Sequence, residues 1–405
     1  MALIGRSDFI RHNAHGCNSG AMNRTWPTAP VARSGKNETV FRSQLVSGTD
    51  VIPMHASQTT AARCFLASLV SLLVLACVGA EKSAAAGEVR RPTPVQFSFD
   101  RPMDASAAPF VLALANGSFG SEGLAVTTDI ASGSPDAIAR VAAGTSDFAL
   151  VDINELIRFR DKPGAVPIKA VFVLFNQSPY AIVARKSRGI HALSDLEGKT
   201  FGVAERDLSI RLWPALARQN GIKIANVRQE KISAAVREPM LSAGQVDAVT
   251  GFSYLSAVNL RDRGVPADDL AVFRYADYGC EAYGFAVIVN PAFAATRPEA
   301  VKGFLRAVIA GTQSAIKEPE RAVDEVVSRM DGGSRELELE RLHTIIGDNI
   351  LTGEVKRNGI GGIDPARFDR SVDQIAEDFK FQKRPSAADI FDGGFLPALG
   401  GRLIN

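Results

Sequence analysis

The chain has 405 residues, 46% of them hydrophobic and 22% charged, an ordinary balance for a globular protein. Its 46 Lys and Arg nearly offset 44 Asp and Glu, so no electrostatic footprint for nucleic acid is present.

Residues 1–53 are rich in Arg, Asn, Ser and Gly and lack apolar periodicity. Residues 64–80, CFLASLVSLLVLACVGA, carry no charge, follow Arg63 and precede the small-residue run SAAAG. That combination predicts a secretory signal peptide over 54–86, starting at Met54 and cleaved between Ala86 and Gly87, where Ala84 and Ala86 form an A-x-A pattern. Residues 1–53 would then lie upstream of the native start, and residues 87–405 would be exported. A retained anchor is one rival, although 17 residues are short against the about 20 a spanning helix needs. Lipid attachment at Cys77 is the other, and Leu75 before it suits a lipoprotein signal poorly. Cleavage removes Cys17, Cys64 and Cys77 and leaves Cys280 alone, which excludes an internal disulfide. Two histidines remain, His191 and His343, far apart in sequence, so structural zinc is not expected.

Residues 87–405 suffice for two domains of roughly 150 residues each. Strand-like and helix-like segments alternate along them, the mark of an α/β fold. A strand is expected over 95–99, then a helix capped by Ser106, with Pro109 in its first turn and Gly117 as its stop. A strand follows over 124–128. Ser134 with Pro135 is a helix start, and Gly144 the matching stop. Strands are expected over 147–151, 168–175 and 180–184, the middle one almost wholly apolar and therefore central. A second set has strands over 200–204, 227–231 and 247–252, with helices over 209–220, 233–243 and 254–263. The strand 283–290 returns to the first set. Helices 299–317, 319–330, 335–350 and 365–379 form a tail, the third carrying Leu342, Ile345 and Ile346 at helical spacing. The expected divisions are 87–187 for the first lobe, 188–282 for the second, and 283–405 for the return strand and tail of the first. Two lobes joined by two crossings suit a hinged binding protein, with ligands beyond the carboxyl ends of strands and against helix N-termini.

The strings PMDASAAPFVLALANGSFGSEGLAVT and SGSPDAIARVAAGTSDFALVD open the chain in a familiar way. With SRGIHALSDLEGKTFGV, AGQVDAVTGF and VNPAFAATRPEAVKGFLRA further on, in that order, they cover nearly all of residues 95–380. The chain resembles the nitrate/sulfonate/taurine and thiamine-pyrimidine-precursor type of ABC-transporter substrate-binding proteins. The resemblance implies a type II periplasmic-binding fold, with each lobe a mixed sheet flanked by helices. It further implies a cofactor-free periplasmic monomer with a small-molecule solute and an inner-membrane permease as partners.

The loops after strands supply the residues expected to face the cleft. They are Asp104 and Ser106, Ser134, and Asp152 with Asn154 from the first lobe. From the second come Glu205 and Asp207, Phe252 and Ser253, and Tyr278 with Glu281 near the return. Capping is the alternative role of Ser106 and Ser134. These loops carry five acids, Asp104, Asp152, Glu205, Asp207 and Glu281, against Arg206 as the one cation. Carboxylates accept hydrogen bonds and attract cations, so an amine or aminopyrimidine, a thiamine precursor among them, is favoured over a sulfonate or nitrate. Phe252 and Tyr278 would stack on a flat ring.

Two other functions use the same resemblance. One branch consists of pyrimidine synthases that use pyridoxal phosphate and a histidine of their own chain, with a cysteine-rich motif; Cys280 alone does not supply that motif. A sensory binding protein is the other. LSDLEGKT ends like a phosphate-binding loop but has Leu193 where the first Gly is required. A G-x-S-x-G nucleophile elbow does not occur.

Overall fold

The computed structural model describes residues 91–204 and 207–404. The expected signal peptide, its cleavage site, Cys77, Glu205 and Arg206 lie outside those residues.

Two five-stranded sheets organise the chain. The first contains β1 (Thr93–Phe99), β2 (Leu124–Ile130), β3 (Phe148–Asp152), β4 (Lys169–Val173) and β10 (Phe285–Val289), in the order β2-β1-β3-β10-β4. β1 pairs parallel with β2 and β3, whereas β10 runs antiparallel to β3 and β4. The second contains β5 (Tyr180–Arg185), β6 (Thr200–Ala204), β7 (Arg228–Ile232), β8 (Ala248–Phe252) and β9 (Leu270–Arg274), in the order β7-β6-β8-β5-β9. β6 pairs parallel with β7 and β8, and β5 antiparallel with β8 and β9. Each sheet therefore repeats one plan: parallel strands from βα units, and one antiparallel strand entering from the other lobe.

The helices used below are α1 (Ala108–Ala115), α2 (Ser134–Ala143), α3 (Ile153–Arg160), α4 (Leu208–Gln219), α5 (Arg237–Ser242), α6 (Ser253–Asp262), α7 (Pro298–Lys317), α8 (Arg335–Thr344) and α9 (Pro365–Phe379). β3 is buried along its whole length, as a strand covered on both faces requires. On one face α1 and α7 bury Phe110 and Phe304 against Phe97 and Phe148, with the Phe148 and Phe304 rings stacked at 4.1 Å. Such ring pairs add about 0.5–1.5 kcal/mol beyond their area. On the other face α2 and α3 contribute Ile138, Val141, Leu156 and Ile157.

Four differences from expectation follow from non-local contacts. β5 belongs to the second sheet, so the crossing lies at 174–180 rather than at the expected boundary between 187 and 188. β9, not foreseen although its LAVFR is largely apolar, pairs with β5 across 85 or more residues of chain. Ser106 does not cap α1: Asp104 accepts Ser106 N–H at 2.8 Å and Ser106 Oγ–H at 2.5 Å, capping a short 3-10 turn before it. Ser134 is the first residue of α2 rather than its cap: Gly133, at φ +105°, holds the cap position and has no side chain to cap with, while the Ser134 hydroxyl donates to Asp100 at 2.5 Å.

The two crossing segments run together as a short ladder. Gly284 N–H donates to the Phe175 carbonyl at 2.9 Å, and Ser178 N–H to the Ala282 carbonyl at 3.1 Å. A Cβ at Gly284 would lie 2.9 Å from Phe175 Cβ, so glycine is required by the close approach of the two chains. The tail is not confined to the first lobe. α9 buries Phe368 and Val372 in the first lobe and Ile375 in the core of the second. It therefore forms a third bridge.

Candidate functional site

A cleft of about 1070 Å³ opens between the lobes. The first lobe presents Asp100 and Arg101 after β1, the turn Ser132–Asp136 into α2, Asp152 at the end of β3, and Glu155 and Arg158 on α3. The second presents Asp207, Leu208 and Arg211 around the start of α4, Lys231–Ala234 at and just beyond the end of β7, Arg237 and Phe252. Strand ends and helix starts face one another across it, as the α/β plan dictates.

One hydrogen-bonded chain organises the first wall. Arg101 donates Nε–H and Nη2–H to the two oxygens of Asp100 at 2.8 and 2.9 Å. Ser134 donates its hydroxyl to Asp100 and accepts the Asp152 N–H at 3.0 Å. The Arg101 guanidinium also lies 4.1 Å from the Phe285 ring centre and 5.1 Å from that of Phe252. Burial opposes its charge, but Asp100, Tyr254 and Asp104 outweigh burial and raise its pKa.

Asp152 is 4% exposed and has neutral donors only. It caps α3 by accepting Asn154 N–H at 2.9 Å, and it accepts the Asn154 side-chain amide at 3.0 Å and the Tyr180 hydroxyl. Burial pushes its carboxyl up to about 7, against those stabilising bonds. An unfolded aspartate titrates near about 3.9, so the native state holds this proton more tightly than the unfolded state does. Stability from this group is therefore greatest at low pH, falls as pH rises from about 4 to 7 by at most about 1.4 kcal/mol per unit, and levels above that. In urea titrations across that window Asp152→Asn is expected to flatten this contribution, and an unchanged pH slope would refute it.

The other acids of the cleft are already paired. Asp100 holds Arg101, Asp207 holds Arg237, Glu155 holds Arg158 at 2.8 Å, and Asp136 holds Arg140 at 3.0 Å. Arg211 is exposed and makes no ion pair with another described residue. The expected dominance of acids over Arg206 is thus corrected. Arg101, Arg158, Arg211, Lys231 and Arg237 all line the cleft; Arg101 comes from the loop after the first strand, where it was passed over, and the other four from positions outside the loops first considered.

Of the residues anticipated from sequence, Ser134, Asp152, Asp207 and Phe252 line the cleft together. Asn154 lies behind Asp152 and donates to the Tyr283 carbonyl at 2.9 Å. Asp104 and Ser106 are buried and bonded to each other, and Ser253 is buried at the start of α6. Tyr278 packs its ring edge-on to Phe273, and Glu281 pairs with Arg370 at 2.7 Å; neither lines the cleft. Arg101 had a signal that went unused, because it directly follows Asp100 at the end of β1. Arg237 had none, since its pairing with Asp207 spans 30 residues. A smaller cavity of about 280 Å³ adjoins the cleft at Pro135, Glu155 and Arg158 and is bounded by Phe379 and Phe381 of the tail. Among the described residues no group of side chains has the make-up of a metal site, and no helix is long and apolar enough to cross a membrane.

Comparison with known proteins places this geometry. The family described as NMT1/THI5 like matches residues 104–322. The riboflavin-binding protein RibY of Chloroflexus aurantiacus is 27% identical over 275 residues, 64% of this chain and 75% of that protein. The 4-amino-5-hydroxymethyl-2-methylpyrimidine phosphate synthase of Legionella pneumophila is 26% identical over 184 residues, 45% of this chain and 57% of that enzyme. Among solved structures, the periplasmic aliphatic sulphonate binding protein SsuA from Escherichia coli superposes with a TM-score of 0.58 at 14% identity, over 78% of this chain and 92% of that one. The fold is the type II periplasmic-binding fold.

Proposed function

This chain belongs to the NMT1/THI5-like family, and on that premise we propose that it is the solute-binding component of an ABC import system, closing two lobes on a small flat nitrogen heterocycle of the aminopyrimidine kind. The carrying observation is the cleft between two similarly built lobes, lined from both sides by strand ends and helix starts. A solute that touches both walls binds the closed form better than the open one and shifts the population toward it; the permease reads that shift. Export through the segment expected at 54–86 would place the protein in the periplasm.

The lining favours a heterocycle. Asp152 offers lone pairs to an amino group or protonated ring nitrogen, and Phe252 offers a ring face. A nitrate or taurine ion would compete with Asp100, Glu155 and Asp207 for arginines they already hold. Arg211 would suit an acceptor group at the far end of the solute. Riboflavin and an aminopyrimidine phosphate, named in two relatives, are both flat nitrogen heterocycles, which supports the same class.

The synthase relative favours a second reading, in which pyridoxal phosphate and a histidine do chemistry. The cleft residues do not fit it. The lysine there is Lys231, exposed on the edge strand β7, and His191 and His343 are exposed and outside the cleft. No step is derived through that cofactor.

A thermal-shift screen of the exported portion tests the proposal. The aminopyrimidine or its phosphate at about 100 times its Kd is expected to stabilise by about 2.7 kcal/mol. A shift by nitrate or taurine alone would overturn the ligand class, and turnover of an added pyrimidine precursor would overturn the binding role.

A further inference from the structure

We infer that Arg101 is a stacking platform, a flat guanidinium fixed against Phe285 on one side and offered to a planar heteroaromatic solute in the cleft on the other. The inference rests on the solute-binding reading above and specifies how that site selects its ligand class.

Three observations fix the guanidinium. Its two bonds reach the two separate oxygens of Asp100, at 2.8 and 2.9 Å, and this two-point hold sets the plane. Asp100 is 3% exposed and held in turn by Ser134, so the anchor does not swing. Phe285 lies at 4.1 Å, a stacking distance, whereas the Phe252 ring stands at 82° to Phe285 and meets the same guanidinium at 5.1 Å. Phe285 belongs to the first lobe and Phe252 to the second, so the platform is completed across the boundary that closure would tighten. The side chain remains 24% exposed, and Arg101 lines the cleft.

The pairing decides what this group selects. Asp100 neutralises the charge of Arg101, so an inorganic anion gains little there. What remains is a flat, weakly hydrated surface on which the face of a planar heteroaromatic ring can stack. Lysine has the charge but not the plane.

Calorimetry of the exported portion with riboflavin, 4-amino-5-hydroxymethyl-2-methylpyrimidine phosphate, taurine and nitrate tests this, for the native chain and Arg101→Lys. The native chain is expected to bind a ring compound, and Arg101→Lys, if cooperatively folded, to bind it about tenfold or more weakly. Binding of an uncharged ring compound by the native chain, riboflavin or 4-amino-5-hydroxymethyl-2-methylpyrimidine without its phosphate, is further expected to change less than about twofold between about 50 and about 500 mM NaCl, because stacking on a neutralised pair is little screened. Equal affinity of native chain and Arg101→Lys, or a tenfold loss in high salt, would overturn the platform while solute capture stands. Binding of nothing in the panel would overturn solute capture itself. The salt measurement needs no variant, so it decides the matter even where Arg101→Lys does not fold.

Discussion

Arg367→Ala is expected to destabilise the protein by about 3–5 kcal/mol, the cost of leaving a buried partner uncompensated. Arg367 lies on α9 and is the knot between the tail and both crossing segments. Its Nη1 donates to Glu354 Oε2 and Asn176 Oδ1, each at 3.0 Å, its Nη2 to the Asn176 carbonyl at 2.8 Å, and its Nε to the Glu281 carbonyl at 3.0 Å. The guanidinium also lies 4.1 Å from the Tyr283 ring centre. Glu354, whose side chain is 11% exposed, would keep only the Tyr283 hydroxyl and the Asn176 amide as donors. Asn176 sits in the first crossing, and Glu281 and Tyr283 in the second. Arg367→Lys preserves the charge but not the fork of donors, and is expected to recover less than half the loss. Calorimetric unfolding of the three proteins measures this; a loss below about 1 kcal/mol for the alanine variant would show that the crossings do not depend on the tail.

Gly311→Ala is expected to lower stability by about 2–3 kcal/mol, although alanine is the better helix former by about 1 kcal/mol. Gly311 is where α7 presses on α1. A Cβ there would enter the van der Waals shell of the Pro109 carbonyl oxygen and lie 2.8 Å from Ala113 Cβ. The carbonyl belongs to a helix backbone and cannot turn aside as a long side chain could, so overlap outweighs propensity. For a folded chain of this size the melting temperature should fall by about 3–5 °C. A rise in stability would mean that the helices separate freely at this point.

The strength of the two crossings bears on function. Closure of lobes needs a hinge that bends without coming apart. The ladder at Phe175–Gly284 and Ser178–Ala282 supplies continuity, and Arg367 ties it to α9, which reaches the core of the second lobe. Any solute that draws the walls together therefore works against a joint of three strands of chain rather than two.

Much of this molecule was legible before folding. Ser134-Pro135, the Gly144 stop and the apolar runs over 168–175 and 180–184 act through local physics: caps, fixed φ and periodicity need only near neighbours. These features, with the alternation of βα units, determined two lobes, their class and the position of Asp152 at a strand end. The sheet to which β5 belongs, the pairing of β9, and the neutralisation of Asp100 and Asp207 by Arg101 and Arg237 were decided only in three dimensions. A charge read along the chain has a sign but no partner, and its partner is set by which strand ends a sheet brings side by side. That is why sequence alone yielded an acidic cleft, and the folded chain a balanced one with Asp152 lacking a cation and Arg211 without an acid among the described residues.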